Sequence, residues 1–544
     1  MLRFMKGKIF QLMKADFLLI FFMAAFFPIS VWAQDIPKYG VFELTLTAKG
    51  NYSDPYLQMP GDDTTHGFVV GTFNGPNGEA ISIDGFWDGG RKWKIRMAPT
   101  ALGTWTYLTS SSDPGLKGKS GSFNCVPSKS KGFLRVDPDY PHHWAFEDGT
   151  RLYLNPASEF NVHAYFDMRD GSFQTYIDTR VAQGFNSTHF WGMVLSKWGF
   201  KSRRQINEGG PPFVHWDIDR INPKYWQWAD KRVAYANSKG FILSFGIGWP
   251  DQEIFSTYTH TQLKRMWRYI IARYGAYNII YTLFGEIEEA GSTWRRIAKD
   301  YGSLTKKFDP YNHPITTHTL KSTVASGIGN DAWLDFNSQQ TRDLSQVTSD
   351  YNAVDKPLIN LEFYYEDLDT GKTAQGGLPL SELRKMAWNI EMRGAYTMYE
   401  VRGIRDSSDV DKMYSEGAQY FMHLSNFFIN KSFWKLEPNQ ALVNRGICRA
   451  EIGKVYVVYL DTGGSVTVDL SHASGTLSVE WYNPRTGESK PAGSITRGSR
   501  SFTAPDRNDW VLHIKEEASD FISHAPHQQS QSYRYTRRMK KNNV

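Results

Sequence analysis

The sequence predicts a multidomain protein in which a (β/α)8 TIM barrel is flanked by an N-terminal and a C-terminal antiparallel β-sandwich. Three observations carry this. Over residues 133–435, eight β-type runs alternate with segments of helical periodicity, the pattern of parallel strands joined by crossover helices. Before that stretch, short apolar runs are separated by glycine turns at Gly71, Gly75, Gly78, Gly85 and Gly89-Gly90, a spacing that predicts a sandwich of about one hundred residues. After it, the chain returns to strand-type runs such as Val455-Tyr456-Val457-Val458-Tyr459-Leu460.

A chain of 544 residues is too long for one ordinary domain, and its 41% of hydrophobic residues suffices for several cores. The first 33 residues combine a basic start (Arg3, Lys6, Lys8, Lys14), an apolar run over 17–29 and Val31-Trp32-Ala33. That is the pattern of a secretory signal peptide cleaved after Ala33, and it predicts a secreted or periplasmic protein. The run is broken by Pro28 and is short for a membrane span, so no membrane association is expected after cleavage.

The net charge of +6 is concentrated at the ends: the first sixteen residues carry +3 and the last twelve +5, leaving about −2 for the body. A body without basic excess argues against a nucleic-acid partner. Aromatics make up 15%, including 18 Trp and 29 Tyr; their faces stack on sugar rings and on bases alike. Cys125 and Cys448 are too few for a disulfide framework and flank the central region, so one bridge or two buried thiols both remain open. No Cys/His cluster has zinc spacing and no phosphate-binding glycine motif occurs; no metal and no cofactor are expected.

In the N-terminal sandwich, residues 34–128, strands are predicted over 41–46, 67–70, 81–83, 93–97 and 102–107, with a polar loop over 110–121 and a linker over 127–132. In the barrel, the first strand is predicted at 152–154 and the second at 186–194. The third is placed at 241–247, the fourth at 279–284 and the fifth at 314–319. The sixth falls at 333–336, the seventh at 357–361 and the eighth at 395–399. Helices are predicted over 173–183, 225–239, 261–274, 294–308, 344–354, 380–393 and 416–428. The clearest is 261–274, where Leu263, Met266, Trp267, Ile270, Ile271 and Tyr274 recur at three- and four-residue steps and Gly275 ends the run.

The chemistry is expected at the carboxyl ends of these strands. The fourth ends in Gly285-Glu286 and the seventh, Lys356-Pro357-Leu358-Ile359-Asn360-Leu361, runs into Glu362. Strands four and seven stand on opposite parts of the ring, so their tips face one another across the mouth. Two carboxyl groups across a sugar-sized gap, one protonated and one ionised, are what glycoside hydrolysis requires. Glu288 and Glu289 are rivals to Glu286, and Glu366 to Glu362. Other strand ends offer polar and aromatic lining for a substrate: Asn155 and Glu159 after the first, His189 and Trp191 on the second, Trp249 after the third, His318 after the fifth, Gln339 after the sixth, Tyr364 and Glu366 after the seventh and Glu400 after the eighth. Arg402 and Arg405 stand close enough to neutralise Glu400. The insertion at 197–223, with Gly209-Gly210-Pro211-Pro212 and Trp216, is expected to shape this rim.

With its leader, N-terminal β domain, barrel carrying Gly285-Glu286 and Lys356-Pro357 leading to Glu362 and Tyr365-Glu366, and small C-terminal β domain, the chain resembles the apiosidase-like glycoside hydrolases. These belong to the superfamily with an acid/base after strand four and a nucleophile after strand seven. The resemblance implies a retaining mechanism on an oligo- or polysaccharide of plant or algal origin, with Glu286 as acid/base and Glu362 as nucleophile, and carboxyls about 5–6 Å apart. The superfamily usually carries Asn before the strand-four Glu, where this chain has Gly285.

The C-terminal segment, residues 439–516, predicts a sandwich from strands over 455–460, 466–470, 477–482 and 510–514. It resembles a proposed collagen-binding domain; from the residues alone it is a packing module. The tail, 517–544, is polar and then basic, a composition that predicts disorder. Two other expectations compete with the hydrolase: a non-catalytic carbohydrate- or matrix-binding protein on an inactivated barrel, and a polysaccharide lyase using a Tyr or His base.

Overall fold

The computed structural model describes residues 34–158, 166–191, 195, 205–250, 252–404 and 407–517. Residues 1–33, where the signal peptide is expected, the tail beyond 517, Glu159 and Arg405 lie outside these residues.

The N-terminal domain consists of a five-stranded and a three-stranded sheet. Phe42–Thr47 pairs antiparallel with Lys92–Met97, and the alternation buries Phe42, Leu46, Trp93, Ile95 and Met97. Three strands escaped the sequence pattern, Gln34–Pro37, Phe86–Trp87 and Ser120–Val126; Ser120–Val126 pairs with both Gly103–Ser111 and Gln34–Pro37. Its Ser-Gly-Ser start is exposed, so no apolar alternation announces it.

The central domain alternates parallel strands with helices. Its strands are β1 (Ala157–Ser158), β2 (Ser187–Trp191), β3 (Ile242–Phe245), β4 (Ile279–Thr282), β5 (Ile315–Thr316), β6 (Asn337–Gln339), β7 (Leu358–Asn360) and β8, in two pieces, Tyr396–Thr397 and Tyr399–Arg402. Strands β2 to β5 form one parallel sheet and β6 to β8 another. The second piece of β8 runs parallel to β1, and a parallel bridge between Pro156 and Ser187 leads from β1 to β2. Between β5 and the approach to β6, the Asp335 N–H donates to the Ile315 carbonyl at 2.8 Å.

Two strands lie elsewhere than predicted. Arg151–Leu152 belongs to a small antiparallel sheet with Trp144–Phe146 and Leu134–Val136, and the first parallel strand follows at Ala157–Ser158. The sixth strand is the polar Asn337–Gln339 rather than the apolar 333–336. Its polar side chains are buried and hydrogen-bonded, as Thr323 to Asn337 and Ser338 to the Thr317 carbonyl show, so periodicity of apolar residues points three residues too early.

The helices follow the sequence closely: α1 (Ser172–Ala182), α2 (Pro223–Ser238), α3 (His260–Tyr274), α4 (Trp294–Phe308), α5 (Leu344–Ala353), α6 (Leu380–Glu391) and α7 (Glu416–Ile429). Thr259 and Gln262 close a capping box at the start of α3. Residues 205–223 of the insertion pack onto the start of α2: Phe213, Ile218 and Ile221 are buried, and the Asn207 amide donates to the Tyr225 carbonyl.

The C-terminal domain pairs a six-stranded with a two-stranded sheet. The sequence pattern missed Glu437–Pro438, Ile447–Glu451, Ser489–Ile495 and Ser499–Thr503. Both flanking domains share an apolar core with the central one. On one side Tyr269 of α3 meets Tyr56 and Phe86, while Arg96 and Arg273 clamp Asp230. On the other, Trp388 of α6 stacks on Tyr459 and Arg384 makes a bidentate pair with Asp509. Cys125 and Cys448 are buried free thiols. Among the described residues, no helix is long and apolar enough to cross a membrane.

Candidate active site

Strand β4 is buried on both faces, as its Ile-Ile-Tyr-Thr run dictates, and Leu283 and Phe284 continue it at 0% exposure. The Gly285 N–H then donates to the Gly248 carbonyl at 3.2 Å. Glu286 follows in the left-handed region, with φ 41° and ψ 51°, a costly backbone for a side chain with a Cβ and one that clusters at functional sites. This turn aims the carboxyl at two donors. The Trp249 indole N–H reaches Oε2 at 2.8 Å, and the Gln340 amide reaches Oε1 at 3.1 Å. Both carboxyl oxygens therefore accept a hydrogen bond.

Glu362 stands just past β7. Asn360 orients its backbone by accepting the Glu362 N–H at 3.3 Å. The Gln340 amide and the Tyr365 hydroxyl also interact with its carboxyl. Burial, and next the negative charge of Glu286, push it up to about 7 against the pull of Tyr365, Arg402 and Gln340. Gln340 interacts with both carboxyls. The third carboxyl, Glu400, is 1% exposed. Burial first and Glu362 second hold it well above the usual carboxylate range.

His318 lies beside this pair, edge-on to Trp249 with centroids 5.6 Å apart. Burial lowers it to about 4 although Glu286 pulls the other way, so the ring is neutral. His189 sits deeper, with Nδ1 3.0 Å from the Thr282 hydroxyl, and burial brings it to about 3. Beside Glu362 a cavity of about 450 Å³ opens between Lys321, Gln340, Arg342, Gln346, Phe363 and Gln375. Tyr364 is half-buried on this side, under the Arg342 guanidinium.

Three of the expected lining residues are held by the fold. Glu366 accepts hydrogen bonds from the Tyr399 hydroxyl at 2.5 Å, the Ser415 hydroxyl at 2.7 Å and the Gly417 N–H at 3.2 Å, so it anchors the start of α7. The Gln339 amide donates to Asp350 at 2.5 Å, and Asn155 ties β1 to the Gly184 carbonyl at 3.1 Å. Glu288, a rival to Glu286, accepts from Leu320 N–H and the Ser326 hydroxyl. Trp191 pairs with Phe245 through its backbone; its side chain lies outside the described residues. Sequence reasoning gave no role to Gln340 and Tyr365. Gln340 follows a strand placed three residues too early, and Tyr365 was recognised only as part of a motif. Among the described residues, no group of acidic, His and Cys side chains could hold a metal ion.

Residues 163–435 match the family model described as apiosidase-like, catalytic domain. Residues 35–112 match a domain of unknown function, and 439–515 a proposed collagen-binding domain of a collagenase. The chain is similar to the structure of a proposed glycoside hydrolase from Bacteroides vulgatus, at 18% identity and TM-score 0.70, over 89% of this chain and 100% of that one. A family 5 glycoside hydrolase from the same organism aligns at 20% identity and TM-score 0.60, over 72% of this chain and 95% of that one. A further structure described as a glycoside hydrolase aligns at 19% identity and TM-score 0.61, over 72% and 98%. At such identities the likeness concerns the fold. No curated protein matches the chain.

Proposed function

We propose, from the premise that the chain belongs to the apiosidase-like family of glycoside hydrolases, that it is a secreted retaining enzyme of plant or algal polysaccharide breakdown. Its catalytic unit is a closed (β/α)8 barrel spanning about 133–435, with β domains over 34–128 and 439–516. The observation that carries the catalytic assignment is the coupling of Glu286 and Glu362: Gln340 touches both carboxyls, and the charge of one raises the other.

In the first step Glu286, as acid, gives its proton to the leaving oxygen. Glu362 attacks the anomeric carbon, and the electron pair of the broken C–O bond stays with the leaving group. In the second, the Glu286 carboxylate takes a proton from water, the water oxygen bonds to the anomeric carbon, and Glu362 departs as carboxylate. One proton across the pair suffices throughout. Tyr364, half-buried beside the cavity, is the aromatic group proposed to meet the sugar, while the Trp249 ring is 5% exposed and holds Glu286 through its indole N–H.

One observation favours a second reading with the roles exchanged: both Glu286 oxygens accept N–H donors, while burial and then the Glu286 charge push Glu362 up to about 7. Mass spectrometry after inactivation by a 2-deoxy-2-fluoro glycoside separates the two. A label on Glu362 supports the first assignment, a label on Glu286 the exchanged one, and no covalent adduct on either excludes a retaining mechanism. A panel of pectic, hemicellulosic and algal oligosaccharides identifies the substrate by released reducing ends, whereas an unsaturated product without added water would mark a lyase.

A further inference from the structure

The carboxyl of Glu400 remains outside the two-step scheme above. It is 1% exposed at the end of β8, one residue before Val401 and two before Arg402. Neither of its oxygens meets a donor with good hydrogen-bond geometry. An ionised carboxylate in such a place would be desolvated beside the Glu362 charge, which Tyr365 and Arg402 do not offset, so the group is neutral and carries a hydroxyl. A neutral carboxyl, unlike an ionised one, has a proton to donate. The groups facing it are Glu362, the Tyr365 hydroxyl, Arg402 and Glu286. Tyr365 interacts with both Glu400 and Glu362, and the Arg402 guanidinium lies over its ring at 4.8 Å. The Tyr365 backbone is fixed by the Gln375 amide oxygen at 2.8 Å and by pairing with Glu400 itself.

We propose that Glu400 is a positioning residue: its carboxyl hydroxyl donates to the Tyr365 oxygen and thereby directs the Tyr365 hydroxyl proton onto Glu362. A chain of donors ending on Glu362 favours the ionised form of that group, because each hydrogen bond polarises the next. It opposes the burial and the Glu286 charge that push Glu362 up to about 7. Glu400 acts through Tyr365 and does not touch the sugar, which its burial keeps out of reach. The inference rests on Glu362 being the group whose ionisation matters, and is tested on a readout that needs no substrate.

The experiment is infrared titration of the full-length protein, following the C=O stretch of neutral carboxyls, with Glu362→Gln and Glu400→Gln assigning the two bands. The Glu400 band is expected to persist at pH 8, and the Glu362 band to titrate away around neutrality. In Glu400→Leu, and independently in Tyr365→Phe, the Glu362 midpoint should rise by about one pH unit. Glu400→Gln, whose amide can still donate to Tyr365, should leave it in place. An unchanged midpoint in both Glu400→Leu and Tyr365→Phe, or a Glu400 band lost below pH 7, overturns the proposal. The catalytic reading is judged separately, on an aryl glycoside turned over by the wild type. There Glu400→Leu should lower kcat with little change in KM, and Glu400→Gln should restore it. A raised KM in Glu400→Gln with an unmoved midpoint would instead make Glu400 a direct sugar contact.

Discussion

Trp249 occupies the space that any side chain at position 285 would need. A Cβ on Gly285 would lie 2.2 Å from the Trp249 ring, and the same indole donates its N–H to Glu286 at 2.8 Å. The glycine before the catalytic-type glutamate is thus a packing requirement of the tryptophan that orients the carboxyl.

Gly285→Ala should therefore displace Trp249 and release Glu286. The expected cost is about 1–3 kcal/mol of stability from overpacking, with a drop in turnover of about tenfold or more as the Glu286 carboxyl loses its orientation. Chemical denaturation and steady-state kinetics measure both. Wild-type values in the variant would show that the ring moves aside freely.

A second expectation concerns pH. Glu362 is raised from 4.5 to about 7 in the folded chain. Its contribution to stability is fully present below pH 4.5 and is lost as pH rises through 7, because ionisation is easier in the unfolded state. Glu362→Gln should leave stability unchanged at pH 4 and raise it at pH 8 by roughly 2–3 kcal/mol, at the expense of activity. Equal stability of wild type and variant at pH 8 would contradict this.

The third concerns the C-terminal domain. Asp509 receives two N–H donors of Arg384 at 2.9 Å each and the Tyr459 hydroxyl at 3.3 Å, and it is 0% exposed. Asp509→Ala leaves Arg384 buried and uncompensated across the domain boundary, which should cost about 3–5 kcal/mol. A loss below about 1 kcal/mol in urea denaturation would count against the domain as a packing module.

Much of this fold was legible because its helices obey a clear period. Leu263, Met266, Trp267, Ile270, Ile271 and Tyr274 mark one face of α3, and all six are buried. Glu286 and Glu362 stood out because each follows an apolar strand directly. The sixth strand was misplaced because Asn337, Ser338 and Gln339 are buried by pairing their polar groups, which carries no apolar signature. The same misplacement hid Gln340, the group that links the two carboxyls. Glu366, Gln339 and Asn155 sit at strand ends as expected, yet spacing does not say whether a polar side chain faces a ligand or a neighbouring loop. The partners that decide it, such as Ser415 and Gly417 for Glu366, come from distant parts of the chain.

Glu286 and Glu362 are proposed to act on one glycosidic bond. Turnover and binding of the best oligosaccharide from the panel, measured for Glu286→Gln and Glu362→Gln, decide this. Both variants should lose about 10²–10⁴-fold or more in kcat while calorimetry still shows the sugar bound. Unchanged turnover in both would remove the pair from the chemistry.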